Sequence, residues 1–100
     1  MRRGTTPTHT FEVPFDISTI KELKITYCQD DAIILEKYLK DCENTENKVN
    51  VTLTQNDTFL FRAHVPVKIQ LRVLVNDGTV YGTDVASVPV LVCLDGEVLK

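Results

Sequence analysis

The side chains able to do chemistry in this sequence are few and scattered. His9 and His64 are isolated in sequence. A metal site needs several His, Cys or carboxylate ligands converging on one point. Both therefore read as ordinary strand histidines, His9 near the first strand and His64, between Ala63 and Val65, at the start of the longest. The three cysteines, Cys28, Cys42 and Cys93, are odd in number and show no Cys-x-x-Cys spacing. They read as free thiols serving as small hydrophobes, with a Cys28–Cys42 bridge across neighbouring strands as the alternative. Ser18 and Ser87 lack the Gly-x-Ser-x-Gly elbow of a nucleophilic serine. Asp30-Asp31 could work as paired carboxylates, but it falls in a polar stretch where Asp serves turn formation. Gly78 and Gly82 lack the Lys-Ser/Thr tail of a phosphate loop. The reading is a protein that is not an enzyme and that has neither a metal nor a cofactor.

Binding chemistry is harder to exclude. Glycan sites use exposed aromatic platforms. There is no tryptophan, and most of the aromatics, Phe11, Phe15, Phe59, Phe61 and Tyr27 among them, fall at inward or corner positions. Tyr38 and Tyr81 are the best candidates for exposed rings, against core or rim packing. Leu74, Leu91 and Cys93 lie opposite the apolar row of their strands. Exposed, they would form an apolar patch that calls for a partner; otherwise both faces of these strands are covered.

Period-two alternation supplies most of the elements that would position these groups. Phe11 and Val13 share one side of a strand from Thr8 to Val13, which Pro14 then breaks. Leu23, Ile25 and Tyr27 point inward from the next strand. Gln29-Asp30-Asp31 is a polar turn. Ile33 to Leu39 reads as the returning strand of a hairpin, with a helix as the alternative, because Ile34, Leu35, Tyr38 and Leu39 also share a helical face. Asp41 to Lys48 is polar and reads as a loop. Val49, Val51 and Leu53 form another inward row.

Thr54-Gln55-Asn56-Asp57 has the form of a capping box. It predicts one helical turn over Gln55 to Leu60, crossing between layers, with Phe59 or Phe61 plugging the core. Val65 to Val75 is the longest strand, and Asn76-Asp77-Gly78 is a hairpin signal. The segment Thr79 to Val92 pauses at Gly82 and Asp84 and carries Pro89, which places it on an edge or at a bulge. Pro14 marks a second edge or crossing point. Open edges pair with other chains unless blocked.

About seven strands with turns between them, and no helix-rich crossovers, describe an all-β fold: an immunoglobulin-like antiparallel β-sandwich with one short helical turn. The 100 residues suffice for one domain, 1–100, with residues 1–7 expected as a loose N-terminal arm. The net charge of −3 argues against nucleic acid. No apolar run reaches the ~20 residues of a membrane helix, and no signal peptide is evident, so a cytoplasmic location is expected. On that expectation, the glycosylation patterns Asn50-Val51-Thr52 and Asn56-Asp57-Thr58 carry no meaning.

Four stretches together carry a resemblance: Arg3 to Phe11 (RGTTPTHTF), Leu53 to Phe59 (LTQNDTF), Val67 to Leu74 (VKIQLRVL) and Cys93 to Leu99 (CLDGEVL). Over nearly the whole chain the sequence resembles small uncharacterised proteins of prophages and other mobile elements in gut Firmicutes. More distantly, its Thr-Pro strand leading into alternating strands is similar to β-sandwich domains of phage tail and baseplate proteins. With no catalytic constellation, the resemblance implies a non-catalytic structural or protein-interaction module, associated with a tail or baseplate. Its partners would be other phage or mobile-element proteins, or a second copy. It would reside in the bacterial cytoplasm or the virion. The alternative is a glycan-binding module for attachment to a host surface.

Overall fold

A computed structural model describes residues 1–100. The strands are β1 (Thr8–Glu12), β2 (Ile20–Gln29), β3 (Ala32–Tyr38), β4 (Cys42–Thr45), β5 (Lys48–Thr52), β6 (Val67–Val75), β7 (Val80–Gly82) and β8 (Ala86–Val88). A single helical turn, α1 (Gln55–Phe59), separates β5 from β6. One sheet has the order β1-β5-β4, and the other β3-β2-β6-β7, with β8 also on β6. All strand pairs are antiparallel. Without a first strand, this is the B-E-D against C′-C-F-G order of an immunoglobulin-type sandwich.

The inward rows predicted from alternation form the core. Leu23, Ile25 and Tyr27 of β2, Val49 and Val51 of β5, and Val67, Ile69, Leu71, Val73 and Val75 of β6 are all buried. Burying each such side chain is worth about 1.5–3 kcal/mol before entropy is counted. Phe61 is the buried plug beneath the corner, while Phe59 lies half-buried under the Arg3 guanidinium. The capping box forms as its residues require. The Asp57 N–H donates to Thr54 Oγ1 at 3.1 Å, and the Thr54 N–H donates to Asp57 Oδ2 at 2.9 Å.

The Ile33–Leu39 segment is strand up to Tyr38, entered through a two-residue hairpin. Asp30 and Asp31 both sit in the left-handed region, with φ of 48° and 63°. That is a type I′ turn, whose twist matches its strands, and Asp tolerates the conformation better than most side chains. Gly78, at φ 91°, serves the β6–β7 hairpin. β7 and β8 lie end to end along β6 as one interrupted edge. At the break, Thr83 stays in register by other means. Its N–H donates to the Leu71 C=O at 3.0 Å, and its hydroxyl accepts from the Leu71 N–H at 3.1 Å.

The structure departs from expectation in three places. The polar stretch Asp41–Lys48 contains β4, paired to β5. Its inward residues, Cys42 and Asn44, make no apolar row that alternation could reveal. The strand expected from Val65 is β6, which begins at Val67 and, at nine residues, is shorter than the ten-residue β2; His64 lies before it at φ 68° with its N–H donating to the Val90 C=O. The cysteines, by contrast, are all free, as expected, and the alternative Cys28–Cys42 bridge does not form.

Finally, residues 1–7 are not a loose arm. Arg2 makes a parallel bridge with Leu91, whose N–H donates to the Met1 C=O at 2.7 Å. The Leu53 N–H donates to the Pro7 C=O at 2.9 Å. Gly4, at φ 77°, lets the backbone pass so close that an added Cβ would lie 2.8 Å from Phe59 Cζ.

Candidate interaction surface

Each sheet edge, where a partner strand could add, is obstructed. β1 is five residues long and stands between Pro7 and Pro14, and β4 has only four residues. On β3, Lys37 lies opposite the buried Ile25 and turns between the layers. Its ammonium reaches Asp57 of α1 at 2.9 Å. An inward charge on an edge strand discourages pairing with another chain. The remaining edge is broken at Thr83, and beyond β8 the Arg2–Leu91 bridge occupies it. The Pro89 carbonyl there accepts the Met1 amine at 2.7 Å.

The outer face of the five-stranded sheet is different. Register places Tyr38, Lys24, Arg72 and Gly82 in one row, and Glu22, Leu74 and Val80 in the next. A groove of about 580 Å³ runs across these rows, with Lys21, Leu39 and Lys40 at its margin. Gly82 has no side chain to fill the space beside Arg72.

Lys24 is already engaged, 2.9 Å from Glu36 and 6.0 Å from the centre of the Tyr38 ring. Its hydrogen bond to Glu36 raises its pKa and keeps it charged. Lys21, Lys40 and Arg72 have no carboxylate within ion-pair reach. The groove thus sets three unpaired cations around Tyr38, Leu74 and Val80 on a chain of net charge −3.

The four residues singled out from sequence do not form one patch. Tyr38, 43% exposed, and half-buried Leu74 share this groove. Tyr81, 44% exposed, lies inside a separate cleft of about 280 Å³ at the hairpin end, 5.0 Å from the Phe15 ring. Leu91 is beyond β8, toward the opposite end of β6 from Leu74, and its backbone is held by the N-terminal residues. Lys24 and Arg72 are outward positions of their alternating strands and are brought together by register; Lys21 shares the parity of the inward row but is exposed at the bulge between Ile20 and Glu22, and Lys40 lies in the turn after β3, so alternation points to neither.

One interior cluster has the residue types of catalysis. His9 Nδ1 lies 2.7 Å from the Tyr27 hydroxyl. Burial lowers the His9 pKa, assisted by the N-terminal ammonium, and burial raises that of Tyr27. They are a neutral imidazole and a phenol at neutral pH. The Cys42 thiol donates to the Tyr38 C=O at 3.4 Å. Burial, then the Asp41 carboxylate, pushes it up to about 11, so it is a thiol rather than the thiolate that a nucleophile requires. No three His, Cys, Asp or Glu side chains are grouped so as to hold a metal ion.

Comparison with protein-family models, with curated proteins and with solved structures finds no match. No helix is long and apolar enough to cross a membrane.

Proposed function

We propose that this chain is a non-catalytic interaction module that docks a protein partner on the outer face of its five-stranded sheet. The observation that carries this reading is the groove holding Tyr38, Leu74 and unpaired Arg72 on the one broad strand surface whose edges are obstructed. The sequence resemblance makes that partner another protein of a prophage or mobile element, in a tail or baseplate, or a second copy of the chain. The module then resides in the bacterial cytoplasm or in the virion. Docking at such a face rests on a few well-packed aromatic and Arg contacts.

The test is co-elution of the chain with a protein of its own element, or with itself, on purification from producing cells. Tyr38→Glu with Leu74→Glu is expected to abolish co-elution and leave the circular dichroism unchanged. A wild-type chain that is strictly monomeric and brings down no protein of its element would contradict the proposal.

A second reading is favoured by one observation. Phe15 and Tyr81 stand 5.0 Å apart beside Thr19, Asn76 and Asp77, a half-exposed ring with polar groups, as a sugar face requires. This would be the glycan-binding module for host attachment. Binding on a glycan array that disappears in Tyr81→Ala would favour it, and an array without hits would remove it.

A further inference from the structure

We infer that the groove accepts an extended acidic segment of the partner polypeptide, an assignment that rests on the interaction role proposed above. Three unpaired cations, Lys21, Lys40 and Arg72, border it. The only carboxylate in the lining is Glu22; Glu36, nearby, is taken by Lys24. On a chain of net charge −3 this local excess of positive charge selects an anionic occupant.

Second, the cations disfavour an isologous pair of copies. A two-fold axis near the centre of this face would bring together two surfaces with the same excess of positive charge, with Glu22 the one carboxylate in each lining. Third, the lining is not purely ionic. Leu39, Leu74 and Val80 and the half-exposed Tyr38 ring provide apolar contact between the charges. A nucleic acid would need a longer cationic track and stacking rings, and Tyr38 is the single aromatic residue of the groove. Alternating carboxylate and aliphatic side chains match both features: the acidic groups meet the rim and the aliphatic ones the floor.

The test is fluorescence anisotropy with a labelled peptide of glutamates interrupted by leucines, against a lysine–leucine peptide and a single-stranded oligothymidylate. The acidic peptide is expected to bind, and raising the salt from ~0.05 to ~0.5 M to weaken it strongly. Arg72→Glu with Lys40→Glu is expected to weaken it by tenfold or more, with Arg72→Gln and Lys40→Gln intermediate. Lys48→Glu, on the outer face of the other sheet, is expected to change nothing. All these positions are on the surface, so retained circular dichroism confirms folding. Failure of the acidic peptide to bind, binding indifferent to the Arg72 and Lys40 changes, or tighter binding of the oligothymidylate through those residues would each overturn the inference. Co-elution that is lost in the Tyr38 and Leu74 variants, without any acidic-peptide binding, would overturn this inference alone and leave the interaction role standing.

Discussion

His9 shows how a side chain with catalytic potential becomes part of a packed interior. Its ring nitrogen is tied to the Tyr27 hydroxyl, and burial holds its pKa below the ordinary 6.5. The folded state therefore binds fewer protons than the unfolded chain once the pH falls below that value. Stability should fall as the pH drops through 6.5. His9→Gln should flatten that slope, as chemical denaturation across the range would show. An equal slope in both proteins would mean that His9 is not its source. The carboxylates held low by local bonds, Asp16, Asp57 and Asp77, act in a separate window below their ordinary 3.8. Sequence placed His9 near the first strand. It could not show Tyr27 as its partner, because that contact joins two sheets and depends on the packing of both.

The corner element, α1, was legible at its start, because every interaction that begins it is local; its end falls at Phe59, one residue before the expected Leu60. Thr54 and Asp57 exchange side-chain bonds with each other's backbone. Thr54→Ala should cost about 1 kcal/mol in an equilibrium melt. Asp57→Asn should cost more, because Asp57 also receives Lys37 of β3. Burial tends to raise the Asp57 carboxyl, but the Thr54 backbone amide and the Lys37 ammonium outweigh it and keep the pKa below 3.8. That contribution is full above 3.8 and is lost as acid titrates the folded-state carboxyl. If Asp57→Asn costs nothing, the Lys37 bond contributes nothing to stability. β2, β5 and β6 were equally readable, since each lays an unbroken apolar row on one face. β4 was not, since four residues with Cys42 and Asn44 inward carry no such row and the strand exists through its ladder to β5. The docked residues Met1–Pro7 were missed for the same reason: their partners, Leu53 and Leu91, are remote in sequence.

Across the whole molecule, obstruction of the edges and opening of one face belong together. Short strands, flanking prolines, an inward lysine and a docked N-terminal segment leave little unpaired backbone for another chain. What remains for recognition is the side-chain surface of the five-stranded sheet, where Lys24 and Arg72 stand opposite each other by register. Their outward orientation was readable from alternation, but their adjacency was not, because it follows from β2 pairing with β6 across the whole of the intervening chain. The central claim is that this face is the docking surface. The most direct test is photocrosslinking in producing cells from a reactive residue at Tyr38 or Leu74, compared with one at Thr10 or Asn50 on the outer face of the other sheet. Crosslinks from Tyr38 and Leu74 to one defined partner, with none from Thr10 and Asn50, are the predicted result. Crosslinks from Thr10 and Asn50 only, or from neither face, would contradict the account.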